Sequence, residues 1–241
     1  MRAVILNAGS GKRLRPLTNK IHKSLLALNG RTILEHQLLS LKKAGVKEVI
    51  LVTGAFNNTV IEFARQLNMG MDIISIFNPF YKITENIVSL WLAKEYIEGE
   101  LFILMGDIIF DSAIASKLKD NKYMCSLAVH HKESYEDDDM KVNIDKDRVN
   151  NIAKDIKGPD AEYMQISYYS EDGSARLKDE LCNMMGEEEF YTWYPRAIQR
   201  LIGKKFDVNP VVCDGHFWIE IDSLKDYERA KRILSDPKAM P

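Results

Sequence analysis

Hydrophobic positions along the first half of the chain alternate between two periods. The run Ala3-Val4-Ile5-Leu6 within Arg2–Leu6 reads as a buried strand. Ile33, Leu34, Leu38, Leu41 and Ala44 then recur at helical spacing, between a Thr32/Glu35 capping box and a stop at Gly45. Val49–Val52 reads as a second strand, Thr59–Leu67 as a helix, and Asp72–Phe77 as a third strand closed by Asn78-Pro79. Asn86–Ile97 places Ile87, Leu90, Trp91 and Ala93 on one helical face, and Leu101–Met105 is a fourth buried strand. Repeated βα units predict a parallel sheet covered on both faces, with ligands at the carboxyl ends of its strands. The expected fold class is therefore α/β, with a Rossmann-like, mixed but mostly parallel sheet, helices on both faces, and a small β/α lid insertion.

The second half changes character. Met124–His130, Met140–Ile144, Arg148–Ile152 and Tyr163–Tyr169 read as strands, with a hairpin turn at Asp145-Lys146-Asp147. Residues 174–203 read as helical, with a break near Gly186 and Pro195 suited to a first helical turn. Phe217–Ile221 is a last strand. Ser223 and Asp226 cap a terminal helix carrying Leu224, Tyr227, Ala230 and Leu234 on one face. No repeat or linker interrupts residues 1–241, which are expected to form one domain.

Bulk properties narrow the function. A chain of 241 residues, 46% hydrophobic, can bury on the order of 70% of its unfolded surface without disulfides. The net charge of −2 and the lack of a basic run speak against a nucleic-acid partner. Glu136-Asp137-Asp138-Asp139 and Glu187-Glu188-Glu189 read as solvated loops. Cys125, Cys182 and Cys213 match no zinc spacing, and a reducing cytoplasm is expected. No secretory stretch opens the sequence and no apolar run reaches ~18 residues, so no membrane span is expected.

Candidate chemistry begins directly after the first strand. Leu6-Asn7-Ala8-Gly9-Ser10-Gly11 leads into Arg13-Leu14-Arg15-Pro16. Gly9 and Gly11 let the backbone turn sharply and bring its N–H groups close to phosphate. Arg13 adds a forked cation that matches phosphate geometry. Leu14 stands where a dinucleotide fingerprint needs its third glycine, and no Gly-Lys-Ser/Thr closes a Walker A loop. Lys23 is either a surface lysine or a second phosphate clamp. Asp107 ends the apolar run Leu101–Met105 and is either a turn residue or a metal ligand, since a carboxylate there is costly without a partner. Trp218, Glu220 and Asp222 share one face of the last strand, either as a solvated face or as part of a site. Asn86 is a helix N-cap or a ligand contact. Phe190, Tyr191, Trp193 and Tyr194 form an aromatic cluster ahead of Pro195-Arg196, either core or an ammonium-binding surface.

The stretch Ala8-Gly9-Ser10-Gly11-Lys12-Arg13-Leu14-Arg15-Pro16-Leu17-Thr18, with Lys23 beyond it, resembles the signature of nucleoside-triphosphate transferases. These are the sugar-phosphate nucleotidyltransferases and the bacterial choline-phosphate cytidylyltransferases. The resemblance implies that Leu6 to Gly11, Asn86 and Ser89 bind the nucleotide, and that Arg13 and Lys23 hold the triphosphate. It implies Mg²⁺ on Asp107 and Glu220, with Asp222 as the fallback ligand. Lys154, Tyr191, Trp193, Tyr194, Arg196 and Trp218 would face the acceptor. Asn7 stands where the family has a small residue, and His22 where it has proline.

The implied activity is nucleotidyl transfer from CTP to a small phospho-alcohol or phosphonate, with release of pyrophosphate. Asn86-Ile-Val-Ser89-Leu90 and the aromatic cluster favour the cytidylyl branch, as does a chain too short for the β-helix of some sugar-phosphate relatives. A sugar-1-phosphate uridylyl- or thymidylyltransferase is the alternative. A non-catalytic nucleotide-binding regulatory protein is a third reading, and it predicts that the metal carboxylates or the cations would be missing.

Overall fold

The computed structural model describes residues 1–121 and 123–235; the remainder of the expected 1–241 domain lies outside the described residues. The strands are β1 (Arg2–Asn7), β2 (Ala27–Leu28), β3 (Arg31–Thr32), β4 (Glu48–Thr53), β5 (Asp72–Phe77), β6 (Leu101–Met105) and β7 (Ile108–Phe110). They continue with β8 (Cys125–His130), β9 (Lys141–Asp145), β10 (Arg148–Ala153), β11 (Ala161–Tyr169), β12 (Val208–Val212) and β13 (Trp218–Glu220). The helices are α1 (Ile33–Lys43), α2 (Asn57–Gln66), α3 (Asn86–Leu92), α4 (Ser112–Asp120), α5 (Glu171–Gly186), α6 (Pro195–Gly203) and α7 (Leu224–Leu234).

The main sheet runs β10-β9-β11-β6-β1-β4-β5, and β8 joins β11 to β12. Strands β6, β1, β4 and β5 are mutually parallel. Strand β11 is antiparallel to β6, so the second half is hydrogen-bonded into the same sheet. The connections β1-α1-β4 and β4-α2-β5 step one way across the sheet, and β5-α3-β6 steps back. Right-handed crossovers then put α3 on the face opposite α1 and α2. Strands β1, β4 and β6 are almost wholly buried, as a sheet covered on both faces requires.

Local sequence signals explain most boundaries. The Thr32 hydroxyl caps α1 by accepting from Glu35 N at 3.1 Å, while the Glu35 carboxylate turns to Arg31 instead of completing the box. Gly45, at φ +90°, ends that helix. The Ser223/Asp226 box forms in full at α7. Asp111 caps α4, and Pro195 opens α6. Helix α3 ends earlier than its pattern suggests, at Leu92, and passes into a 3-10 turn over Lys94–Tyr96. Residues 187–194 separate α5 from α6, a longer break than Gly186 alone predicts.

Four strands do not show in the sequence pattern: the two-residue β2 and β3, which pair with each other, and β7 and β12. Strand β12 contains Pro210 and tolerates it as an edge strand, bonded only to β8. Strand β7 has three residues and exists because β13, far along the chain, pairs with it. This ladder sits in a second, smaller core. There Ile109, Ile219 and Ile221 pack with Leu14 behind the glycine loop and with Ala230 and Leu234 of α7. The phosphate-type loop and the β7–β13 ladder are therefore fixed by common packing.

Candidate active site

Strands β1 and β6 are adjacent and parallel, with Leu6 opposite Met105, so their carboxyl ends emerge side by side. The loop Ala8–Arg13 leaves one and Gly106-Asp107 leaves the other. Gly106 lies so close to Asn7 and to the Leu6 carbonyl that a Cβ there would collide with both. Helix α1 holds this turn from below. Gln37 Nε2 donates to the Met105 carbonyl at 2.7 Å, and Ser40 Oγ donates to that of Phe110, also at 2.7 Å.

The glycine loop is braced from inside. Gly11 sits at φ +60°, packed against Thr18 and Lys23, and Thr18 Oγ1 donates to its carbonyl at 2.7 Å. Asn7 Nδ2 donates to Ser24 Oγ at 2.9 Å, and Ser24 Oγ pairs with His22 Nδ1 at 2.8 Å. His22 Nε2 lies 2.8 Å from the Gly9 carbonyl, which can only accept, so Nε2 carries the proton. Burial holds the His22 imidazole down to about 4, and it is neutral. Asn7, one of the residues expected to bind the nucleotide, has its side chain fully buried beneath the loop, outside the lining of the cleft.

A cleft of about 270 Å³ opens where the two loops meet, lined among others by Gly9, Arg13, Lys23, Asn86, Asp107 and Glu220. The β7–β13 ladder, extended by Ile221 N donating to the Asp107 carbonyl at 2.9 Å, brings the last strand alongside Asp107. Asp107, Glu220 and Asp222 each offer an oxygen, all within 4.8 Å of one another. Lys23 Nζ is buried between Asp107 and Asp222, bonded to the first and 3.7 Å from the second. Asp222 also receives Arg13 Nη2 at 2.7 Å.

Electrostatics set the character of this cluster. Burial first, and then the charges of Asp107 and Asp222, hold the Glu220 carboxyl well above the usual range. The same causes, burial and then Asp107, raise Asp222. For Lys23 burial works against the charge, but attraction to Asp107 and Asp222 outweighs it and the ammonium is retained. Asp107 Oδ1 is buried with no hydrogen-bond partner. An orphaned carboxylate oxygen among three hard oxygen donors suits a small divalent cation such as Mg²⁺.

The other expected site residues divide. Leu6, Ala8, Asn86, Ser89, Lys154 and Trp193 line the cleft, whereas Ser10 and Gly11 shape the loop behind it. Asn86 is the first residue of α3, not its cap, and its Oδ1 accepts from Tyr194 N at 2.7 Å. Ser89 is buried, and its hydroxyl accepts from Asn78 Nδ2 at 2.9 Å. Lys154 Nζ lies 4.4 Å from the centre of the Trp193 ring.

The aromatic cluster does not act as a unit. Tyr194 is fully buried, with its hydroxyl 2.7 Å from Ser167 Oγ and 2.6 Å from the Tyr169 hydroxyl, so it is core. Tyr191 is 77% exposed and Arg196 pairs with Glu189, and neither is part of the cleft lining. Trp218 lies in an adjoining cavity of about 350 Å³ that shares Arg13, Glu220 and Asp222 with the cleft.

Gln165 carries no sequence signal, yet it lines the cleft at φ +60°, where β11 bulges between Tyr163 and Ser167. Bulges re-aim side chains in this way beside functional sites. Tyr81 and Glu85 also line the cleft, from the turn after β5.

Residues 2–136 match the family described as nucleotidyl transferase. The chain belongs to that family. It is 30% identical over 237 residues to the bifunctional IPC transferase and DIPP synthase of Aquifex aeolicus, covering 96% of this chain and 51% of that protein. This chain thus spans about half the length of that relative. It is 25% identical over 236 residues to the choline-phosphate cytidylyltransferase of Streptococcus pneumoniae, covering 98% of this chain and 99% of that enzyme. Among solved structures, the inositol-1-phosphate CTP transferase of T. maritima superposes with a TM-score of 0.80 at 20% identity, over 98% of this chain and 96% of that one. That likeness supports the Rossmann-like α/β fold. Among the described residues, no helix is long and apolar enough to cross a membrane.

Two measurements test the site. His22 is neutral in the fold but protonates near 6.5 when unfolded. Stability should therefore drop as pH falls from 6.5 to 4, by on the order of 3 kcal/mol. Denaturant unfolding of His22→Gln should lack this component, and identical pH profiles would remove His22 as the loop's brace. Separately, Mg²⁺ needs its carboxylates ionised, while Glu220 and Asp222 hold protons more tightly than usual. Binding should release protons and tighten as pH rises. Calorimetry in two buffers of different ionisation enthalpy reads this directly, and equal heats in both would rule it out.

Proposed function

We propose that this chain transfers a cytidylyl group from CTP to a small phosphorylated or phosphonylated acceptor, releasing pyrophosphate. The carrying observation is the Asp107–Lys23–Asp222 cluster beside the Gly9–Arg13 loop, at the joined carboxyl ends of β1 and β6. The cytidylyl reading draws on the relatives named for CTP or cytidylyl chemistry. All the charged groups such a transfer needs are present, which disfavours a non-catalytic nucleotide sensor.

In the proposed reaction an acceptor phosphate oxygen bonds to the α-phosphorus as the bond to the β-phosphate bridging oxygen breaks. The electron pair leaves with pyrophosphate. Protein groups contribute position and charge rather than covalent chemistry. Asp107, with Asp222 or Glu220, would hold Mg²⁺, which when bound supplies positive charge to the reacting phosphates. The Gly9 and Gly11 turn aligns the triphosphate. Arg13 and Lys23 turn from their carboxylates to the phosphates and neutralise the leaving pyrophosphate. The Lys154 ammonium, steadied over Trp193, receives the acceptor phosphate. No general base is needed, because a phosphate acceptor is already ionised at neutral pH.

The head group is sought in the adjoining cavity rather than at Tyr191–Arg196. Seven acidic side chains line that cavity against four lysines and arginines. Burial pushes Glu162 up to about 7 and holds Glu220 above its usual range, which softens the excess, so the lining suits a neutral or cationic head group over an anionic one. Among the described residues Trp218 is the one Phe, Tyr or Trp in its lining, short of an aromatic cage for a quaternary ammonium.

A pyrophosphate-release screen tests the reading. Four nucleoside triphosphates would be crossed with phosphoethanolamine, aminoethylphosphonate, phosphocholine, inositol 1-phosphate and glucose 1-phosphate, with Mg²⁺. CTP with a small phospho-alcohol, polyol phosphate or phosphonate should react. Turnover confined to UTP or dTTP with a sugar 1-phosphate would replace the proposal with the sugar-nucleotide alternative. Asp107→Asn should lower kcat by roughly 10²-fold or more, on the scale of losing one preorganised electrostatic group. Its circular dichroism and melting should remain those of a folded protein, and near-normal turnover would refute the metal assignment.

A further inference from the structure

The acidic run Glu136–Asp139 is not a free loop. Asp139 Oδ2 accepts from Lys132 Nζ at 2.6 Å and from Glu136 N at 2.8 Å. Lys141 Nζ donates to the carbonyls of Asp137, Asp139 and Lys154 at 3.4, 3.5 and 2.6 Å. From this anchored base Asp138 reaches across the mouth of the cleft. Its Oδ2 accepts from Arg13 Nη1 at 2.8 Å, and its Oδ1 accepts from Lys154 Nζ. One cation comes from the glycine loop and the other from just beyond β10. Neighbouring aspartates thus do different work, Asp139 inward as an anchor and Asp138 outward as a bridge.

A carboxylate with one oxygen on each of two cations makes the contacts that a phosphate would make there. We propose that Asp138 is an internal stand-in for substrate phosphate, holding Arg13 and Lys154 until a phosphate or phosphonate dianion displaces it. The inference rests on reading those two cations as phosphate ligands. Both bonds reach solvent: the Asp138 side chain is 57% accessible, that of Arg13 60% and that of Lys154 28%. Each is therefore weak, and a dianion with twice the charge outcompetes the carboxylate. Hydrogen bonds from Lys154 and then Arg13 hold the Asp138 carboxyl below its ordinary range, so it remains ionised and competent to compete.

The bridge couples the two substrates. One carboxylate occupies both cations, so the ligand that displaces it from one frees the other. The first ligand bears the whole cost of displacement and the second binds a cleared site, which is positive cooperativity. Asp138 therefore sets how well lone anions bind and makes donor and acceptor promote each other.

The test is calorimetric titration of the full chain with inorganic pyrophosphate and inorganic phosphate, singly and together, at constant ionic strength. In the wild type, pyrophosphate should raise the affinity for phosphate. In Asp138→Asn each anion alone should bind about three- to tenfold tighter, the scale of two exposed ion pairs, and the mutual enhancement should vanish. Asp137→Asn makes the same charge change on the same loop at an exposed position and should behave as the wild type. Equal or weaker anion binding by Asp138→Asn overturns the proposal, as does an equal gain in Asp137→Asn. Inorganic anions carry no base and no head group. A blank acceptor screen alongside tighter pyrophosphate binding by Asp138→Asn would therefore remove the proposed function and leave the stand-in intact.

Discussion

Three carboxylates and one ammonium share a buried spot at the end of β6, and the surrounding architecture is organised around that charge imbalance. Two like charges ~4 Å apart repel by about 4 kcal/mol at an effective dielectric of ~20. Lys23 offsets part of this for Asp107 and Asp222. The Glu220 carboxyl is held well above its usual range, and Asp107 Oδ1 is left unpaired. A site with this deficit is prepared for a further cation. Under the proposed function, binding one would also release Lys23 toward the triphosphate.

Holding such a cluster together requires rigid support from several directions. Helix α1 holds the end of β6 through Gln37 and the end of β7 through Ser40, on either side of the Gly106-Asp107 turn. The β7–β13 ladder delivers Glu220 and Asp222, and its isoleucines share a small core with Leu14 from behind the glycine loop. His22, Ser24 and Asn7 lock that loop from beneath. In this chain His22 uses both ring nitrogens to join the loop to the turn carrying Lys23. Asn7, for its part, is a member of the brace. The cations, by contrast, are held softly. Arg13 and Lys154 meet over Asp138 at the exposed mouth, where the proposed stand-in role has these contacts exchanged for substrate phosphates.

Much of this was legible in the sequence wherever the signal is local. The β1 run, the Gly9–Gly11 turn, Arg13, Lys23 and Asp107 are near one another in sequence or sit at the ends of strongly patterned strands. The caps at Thr32, Asp111 and Ser223 are read from side chains within a few residues of the backbone groups they satisfy. The aromatic cluster shows where this reasoning stops. Tyr191, Trp193 and Tyr194 are neighbours in sequence, yet one faces solvent, one lines the cleft and one is core. In an irregular connection no period assigns side chains to a common face.

The sequence by itself determined the alternating α/β order, the phosphate-approaching turn, and a carboxylate poised at the end of a central strand. These follow from hydrophobic periodicity and glycine freedom, which act over a few residues. Tertiary structure alone decided that Asp222 joins Asp107 around Lys23, that a bulge turns Gln165 into the cleft, and that Asp138 spans Arg13 and Lys154. Each depends on strands or loops separated by long stretches of chain. Their mutual register is fixed by ladder hydrogen bonds and shared cores, which no local pattern of residues encodes.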